Sequence, residues 1–222
     1  MELENIIYPG FNKTLSELNA LSKVKKKSCE IVDLTEIEWV RDVLRHRVDE
    51  IGSYEIKFRK PTEEEIQTVS KIVGADIDMD ELKNNFHKNK RIIGITSGKG
   101  GVGKSTITSL LGIAFDELGK KVGIMDSDIW GYSVPKILGA KFPPIPFNER
   151  IFPSRINNLN VISMDYFVKQ DEAVIWRGPM LHKAIEQFLF EVLWHDIDIL
   201  LIDMPPGTGD VSISLSQFLK PS

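Results

Sequence analysis

Apolar residues follow two different rhythms along the chain, and the change falls near Lys90. In the first part, residues 30–34 read as a short strand, and residues 36–51 carry Trp39, Val43, Leu44 and Val48 at helical spacing, with Gly52 as a stop. Residues 54–58 alternate apolar and polar positions as a half-buried strand does, and residues 63–73 predict a second helix with an acidic first turn. A small α+β domain over 1–76 is therefore expected. Residues 77–90, rich in charge and Asn and poor in apolar periodicity, are expected to be a linker or a peripheral helix. Beyond it, over 91–222, strand-like and helix-like segments alternate. A strand over 92–96 is followed by a helix over 105–118 closed by Gly119, and then by a strand over 122–125. The Pro-containing stretch 142–153 reads as a loop before a strand over 159–164. Leu181, Ile185, Phe188, Leu189 and Val192 share one helical face, and 199–204 is a buried-type strand. Such alternation predicts an α/β fold, a parallel sheet flanked by helices.

Composition narrows the function classes. The 28 Lys and Arg against 32 Asp and Glu leave a formal charge of −4, so no broad basic footprint exists for a nucleic-acid backbone, and no nucleic-acid partner is expected. No run approaches the roughly 20 apolar residues that span a bilayer, and the acidic opening reaches Pro9 and Gly10 without the apolar core of a secretory signal. A cytoplasmic protein with no membrane partner is expected. Cys29 is the only cysteine, which precludes an internal disulfide or a multi-cysteine metal site within these residues; a lone cysteine of this kind most often serves as a small buried hydrophobe.

The chemistry is concentrated after residue 97. Gly98, Lys99, Gly100, Gly101, Val102, Gly103, Lys104 and Ser105 fit G-x-x-x-x-G-K-[ST] between a predicted strand and a predicted helix, the context that makes this pattern a phosphate-binding loop. Glycines let the backbone curl so that its N–H groups face the phosphates, Lys104 is placed to reach the β and γ phosphates, and the Ser105 hydroxyl is placed to join a Mg²⁺ shell; Thr106 continues the loop into the helix. Two carboxylates, Asp126 and Asp128, follow the strand 122–125 at its carboxyl end, where open α/β sheets bind ligands. Asp203 ends the apolar run 198–202 as a carboxylate that holds Mg²⁺ through water would. ATP and Mg²⁺ are the expected ligands.

Lys99 narrows the group further. The segment 97–106, SGKGGVGKST, resembles the deviant phosphate-binding loop of the family that includes MinD, ParA, the nitrogenase iron protein and the Mrp/ApbC ATPases. That resemblance implies a homodimer in which Lys99 reaches across to the partner's nucleotide, making Lys99, Lys104 and Asp128 the catalytic set. It also implies a D-x-D with one carboxylate near the metal, assigned to Asp126, and one near the attacking water, assigned to Asp128. On sequence the two roles are interchangeable, and capping is the other reading. The segment 203–210, DMPPGTGD, looks like the Mrp/ApbC version of the switch that senses the γ-phosphate, and Trp176 to Met180, WRGPM, is similar to the same group. The element order of 1–76 resembles the SufT-like domain with which many such proteins begin.

The resemblance therefore implies a Mg²⁺-dependent, slow ATPase that assembles or transfers iron-sulfur clusters to apoproteins. A MinD/ParA-like positioning ATPase shares the loop, Lys99 and the D-x-D, and a nucleotide-binding remnant without turnover is the third reading. Family members hold a bridging 4Fe-4S cluster through C-x-x-C motifs beyond the switch. The sequence reaches Ser222 without one, so a chain that is C-terminally truncated, split between genes, or completed by a separately encoded C-terminal fragment is expected.

Overall fold

In the computed structural model, residues 2–86, 88, 90–128, 131, 133–167, 178–194, 197–207 and 210–219 are described. The chain begins with β1 (Ile7–Tyr8), β2 (Lys13–Thr14), β3 (Leu21–Lys25), β4 (Ser28–Val32), α1 (Glu38–Asp49), β5 (Glu55–Arg59) and α2 (Glu63–Val73). It continues through α3 (Met79–Asn85), β6 (Arg91–Ile95), α4 (Lys104–Glu117), β7 (Val122–Asp126) and α5 (Val134–Leu138). Next come β8 (Ile145–Phe147), β9 (Arg150–Phe152), β10 (Ser154–Ile156) and β11 (Leu159–Ser163). The last elements are α6 (Gly178–Phe190), β12 (Ile199–Asp203) and α7 (Asp210–Phe218).

Two compact units emerge, one of Met1–Ile77 with Ile145–Phe152, the other of Asp78–Pro144 with Pro153–Ser222. In the first, β3 pairs antiparallel with β4 and β4 pairs parallel with β5. The inner face of α1 is set by Val40, Leu44 and Val48; Trp39 and Val43, expected on that face, are only partly covered. Helix α2 starts with a capping box in which Thr62 and Glu65 satisfy each other's backbone N–H groups. Arg59, hydrogen-bonded to Glu65, together with the Thr62 N–H, holds that carboxyl down to about 2.

Residues 145–152 depart from the loop expected there. They form the β8–β9 hairpin, with Asn148 and Glu149 both at positive φ (46° and 60°), the backbone a tight hairpin turn needs. Prolines hid the strand: Pro146 sits on the exposed side of β8, while Ile145, Phe147 and Phe152 are buried and the two Phe rings meet Phe11. Residues 77–90 hold the helix α3, capped by Asp78.

The second unit is a five-stranded sheet in the order β10-β11-β7-β12-β6, parallel except for β10. Strands β7 and β12 are buried at every residue, which explains why they read as continuous apolar runs rather than alternating ones. At the edge, β6 exposes Arg91, Ile93 and Gly94. Gly123 lies where a Cβ would come 2.8 Å from the Trp194 ring and from Ile197. Trp194 is itself buried, its Nε1 donating to the Phe188 carbonyl at 2.7 Å. Gly123→Ala is therefore expected to cost about 1–3 kcal/mol of stability through overpacking. Urea unfolding checks this, and an unchanged midpoint would mean that the indole moves freely aside.

Candidate nucleotide site

The carboxyl ends of β6, β7 and β12 lie side by side, and the phosphate loop, the D-x-D and Asp203 all sit at those ends or just beyond them. Strand β6 leads through Ser97 into the loop 98–103, where Gly101 (φ 72°) and Gly103 (φ 90°) take left-handed backbone that a side chain would strain. Gly103 is also the N-cap of α4 and offers no side chain to the helix's first N–H groups, which are left for an anion. Gly98, Gly100, Gly101, Val102 and Gly103 are exposed, as is Thr106 in the first turn of α4. Ser97 fixes the loop's start, its hydroxyl donating to the Lys99 carbonyl at 2.7 Å. The Lys99 side chain is exposed and forms no ion pair among the described residues.

Lys104 is buried, and its Nζ lies 3.8 Å from Asp128 Oδ2, both side chains less than a tenth exposed. The Ser105 hydroxyl donates to Asp203 Oδ2, which joins the helix after the loop directly to the end of β12. Thr108, one turn beyond Lys104 on the buried side of α4, donates to the Lys104 carbonyl at 3.0 Å and reaches Asp203 Oδ1 at 3.4 Å. Sequence reading passed over Thr108. Its i+4 spacing from Lys104 is the signal that places it on the same face.

Asp126 and Asp203 are register partners on β7 and β12, and both are fully buried. Burial first, then the neighbouring charge of Asp203, raises the Asp126 carboxyl to about 7. Burial raises the Asp203 carboxyl as well, opposed by the Ser105 hydroxyl and by Lys104. Asp126 already has hydrogen-bond donors: Oδ2 accepts from Ser133 N at 3.1 Å, Val134 N at 3.2 Å and Ser163 Oγ at 3.1 Å, and Oδ1 accepts from Asp128 N at 3.3 Å. Asp126, the carboxylate expected beside the metal, thus accepts from the first N–H groups of α5 and from the turn that carries Asp128.

After β12, Met204 N donates to the Ile95 carbonyl and Gly207 N to the Ser97 carbonyl, both at 3.0 Å, with Gly207 at φ 86°. The Pro205–Pro206 turn is thereby fastened to the strand and serine that open the phosphate loop. Thr208, Gly209 and the Asp210 side chain, like Trp176 and Arg177, lie outside the described residues. Cys29 is buried on β4, and burial pushes its thiol up. No group of three or more His, Cys, Asp or Glu side chains suited to a metal occurs among the described residues. Mg²⁺ does not require such a cage, since it is commonly held by one or two carboxylates, substrate phosphates and water. Ser105 and Asp203 offer hard oxygen donors of that kind.

Comparison with known proteins agrees with this geometry. The family described as ParA: NUBPL iron-transfer P-loop NTPase matches residues 88–222. An iron-sulfur cluster carrier protein of Mycobacterium leprae is 46% identical over 129 residues, 58% of this chain and 34% of that one. Another, from Helicobacter pylori, is 34% identical over 222 residues, 97% of this chain and 59% of that one. A nucleotide-binding protein of Archaeoglobus fulgidus, solved in complex with ADP, superposes with a TM-score of 0.54 at 35% identity, covering 65% of this chain and 56% of that one. The chain thus spans between 34% and 59% of the length of these two carrier proteins. With its phosphate loop, D-x-D and strand-end aspartate assembled on a parallel sheet, the chain belongs to the ParA-type, NUBPL-like iron-transfer P-loop NTPases.

Proposed function

We propose that this chain is the ATP-hydrolysing part of an iron-sulfur cluster carrier. The observation that carries the ATPase reading is the direct contact between Ser105, at the start of α4, and Asp203, at the end of β12. ATP phosphates would lie in the loop 98–105, against the uncapped N–H groups of α4. Lys104, which lies near Asp128, would turn to the β and γ phosphates and release that carboxylate to orient the attacking water. Ser105 and Asp203 would hold Mg²⁺, which when bound neutralises charge across the β and γ oxygens. Asp126 positions Asp128 through its backbone N–H. Lys99, exposed at the rim, would act on the nucleotide of a second copy in a homodimer. The turn 204–207, tied to Ser97, would respond to the state of the γ-phosphate.

The cluster is cargo in this reading. Family membership supports it, while the single cysteine of these 222 residues supplies only one thiolate, and that one is buried. The cluster's ligands would come from a C-x-x-C segment outside these residues, and apoproteins in the cytoplasm would receive the cluster. The N-terminal α+β unit is a diverged SufT-like module on this view, consistent with a match to the H. pylori carrier that runs along 97% of the chain. The test is anaerobic reconstitution with iron and sulfide, with and without a C-x-x-C-bearing fragment, followed by transfer to an apoprotein in the presence of MgATP. Cluster uptake only with the fragment, and transfer that responds to ATP, is the expected result. Turnover without any cluster uptake in that mixture would instead favour a positioning ATPase.

A further inference from the structure

At the end of the parallel sheet opposite the nucleotide site, the structure has a second cleft, about 600 Å³ in volume. Its rim carries Lys88 and Lys90 from the approach to β6, Arg91 at the first residue of that strand, and Lys120 from the turn before β7. Phe115 and Leu118 at the end of α4, with Ile199 at the start of β12, give it an apolar wall, and Leu118 is 74% exposed. Five strand residues separate this end from the phosphate loop by about 13 Å, and the 14 residues of α4 by about 20 Å.

Charge is what makes the cleft unusual. The whole chain is net acidic, at −4, yet four cations gather here. None of the four forms an ion pair among the described residues, whereas Lys13, Arg45, Lys60 and Lys83 each meet a carboxylate. The carboxylate in the cleft, Asp198, is already engaged, its Oδ2 accepting from Lys121 N at 2.9 Å. Lys90 is half-buried, with its Nζ donating to the Trp194 carbonyl at 3.1 Å and lying 4.5 Å from the centre of the Phe86 ring. Burial lowers its ammonium to about 8, the direction an anion in the cleft would reverse. Like charges gathered against a low-dielectric wall concentrate counter-ions. The volume lies in the range of small-molecule sites, and the apolar wall favours a ligand with a carbon body over a bare inorganic ion.

We propose that this cleft is a binding site, separate from the nucleotide site, for a small organic polyanion with two or more negative groups on a compact apolar body. Lys88, Lys90, Arg91 and Lys120 meet the charges, and Phe115, Leu118 and Ile199 meet the body. The cleft and the phosphate loop occupy opposite ends of β6, β12 and α4, and by linkage any coupling between the two sites is reciprocal.

The probe is benzene-1,3,5-tricarboxylate, titrated calorimetrically into the full chain at constant ionic strength with the nucleotide site saturated by MgADP. The expected result is a 1:1 complex with a Kd below about 1 mM, and inorganic phosphate binding at least tenfold more weakly. Lys90→Gln is expected to weaken the tricarboxylate at least tenfold. Lys120→Glu, at an exposed position that carries no packing role, should do the same and guards against a folding defect, with MgADP affinity unchanged in both. Absence of binding under these conditions, or parent-like affinity in both variants, would overturn the proposal.

Discussion

Replacing Lys99 by alanine is expected to lower ATP turnover by about 10²–10³-fold, the scale of removing one preorganised donor to transition-state charge, while nucleotide affinity stays within about threefold of the parent. The asymmetry follows from where the two loop lysines sit. Lys104 is buried beside Asp128 at the mouth of α4, so Lys104→Ala should remove both binding and turnover. The Lys99 side chain is exposed on the loop's rim without an ion pair among the described residues, so its own subunit's nucleotide loses little when it goes. If it acts across a two-fold dimer, two inactive variants should complement each other. In a mixed dimer of Lys99→Ala with Asp128→Asn, one of the two sites has its own Asp128 and the partner's intact Lys99. An equimolar mixture should therefore recover about a quarter of the parent activity, since half the dimers are mixed and each has one whole site. Steady-state phosphate release and fluorescent-nucleotide titration measure both effects. Failure of the mixture to regain activity, with dimers shown to exchange, would place Lys99 in its own subunit's site.

Much of this site was legible in the sequence because it is local. The phosphate loop needs glycines at left-handed positions and a helix directly after them, and both demands are written in adjacent residues. Strands β7 and β12 were legible because both faces of each are buried, which leaves unbroken apolar runs. What could not be read depends on residues far apart in the chain. The hydrogen-bond donors of Asp126, Ser163 on β11 and the N–H groups of Ser133 and Val134, are not specified by the D-x-D spacing. Thr108 matters only because α4 turns it toward Asp203, 95 residues on. The β8–β9 hairpin was masked by Pro146 and the prolines that flank it, since a strand that buries Ile145 and Phe147 while exposing Pro146 is composed like a loop. The cleft beyond Leu118 has no motif at all, because its cations come from the approach to β6, the first residue of that strand and the turn before β7.

Asp203→Asn is expected to separate stability from activity. Asp203 and Asp126 face each other as register partners, both fully buried, with Lys104 the cation that draws on Asp203. Two buried carboxylates so placed cost the nucleotide-free fold energy that a cation between phosphate and protein would return. An asparagine keeps the shape and still accepts from the Ser105 hydroxyl, yet removes one of the two charges. The nucleotide-free variant should therefore gain about 1–3 kcal/mol and melt several degrees higher. The same change should reduce Mg²⁺-dependent turnover by about 10²-fold or more, since a neutral amide holds a hard cation poorly. Added MgADP should raise the melting temperature of the parent much more than that of the variant. Asp126→Asn makes the counterpart, because that side chain spends its oxygens on α5, Ser163 and the Asp128 N–H. It should keep a Mg²⁺ requirement close to the parent's and lose activity through a displaced Asp128. If instead Asp126→Asn abolished the Mg²⁺ response and Asp203→Asn left it intact, the metal would belong to β7, and the two aspartates would have to exchange roles.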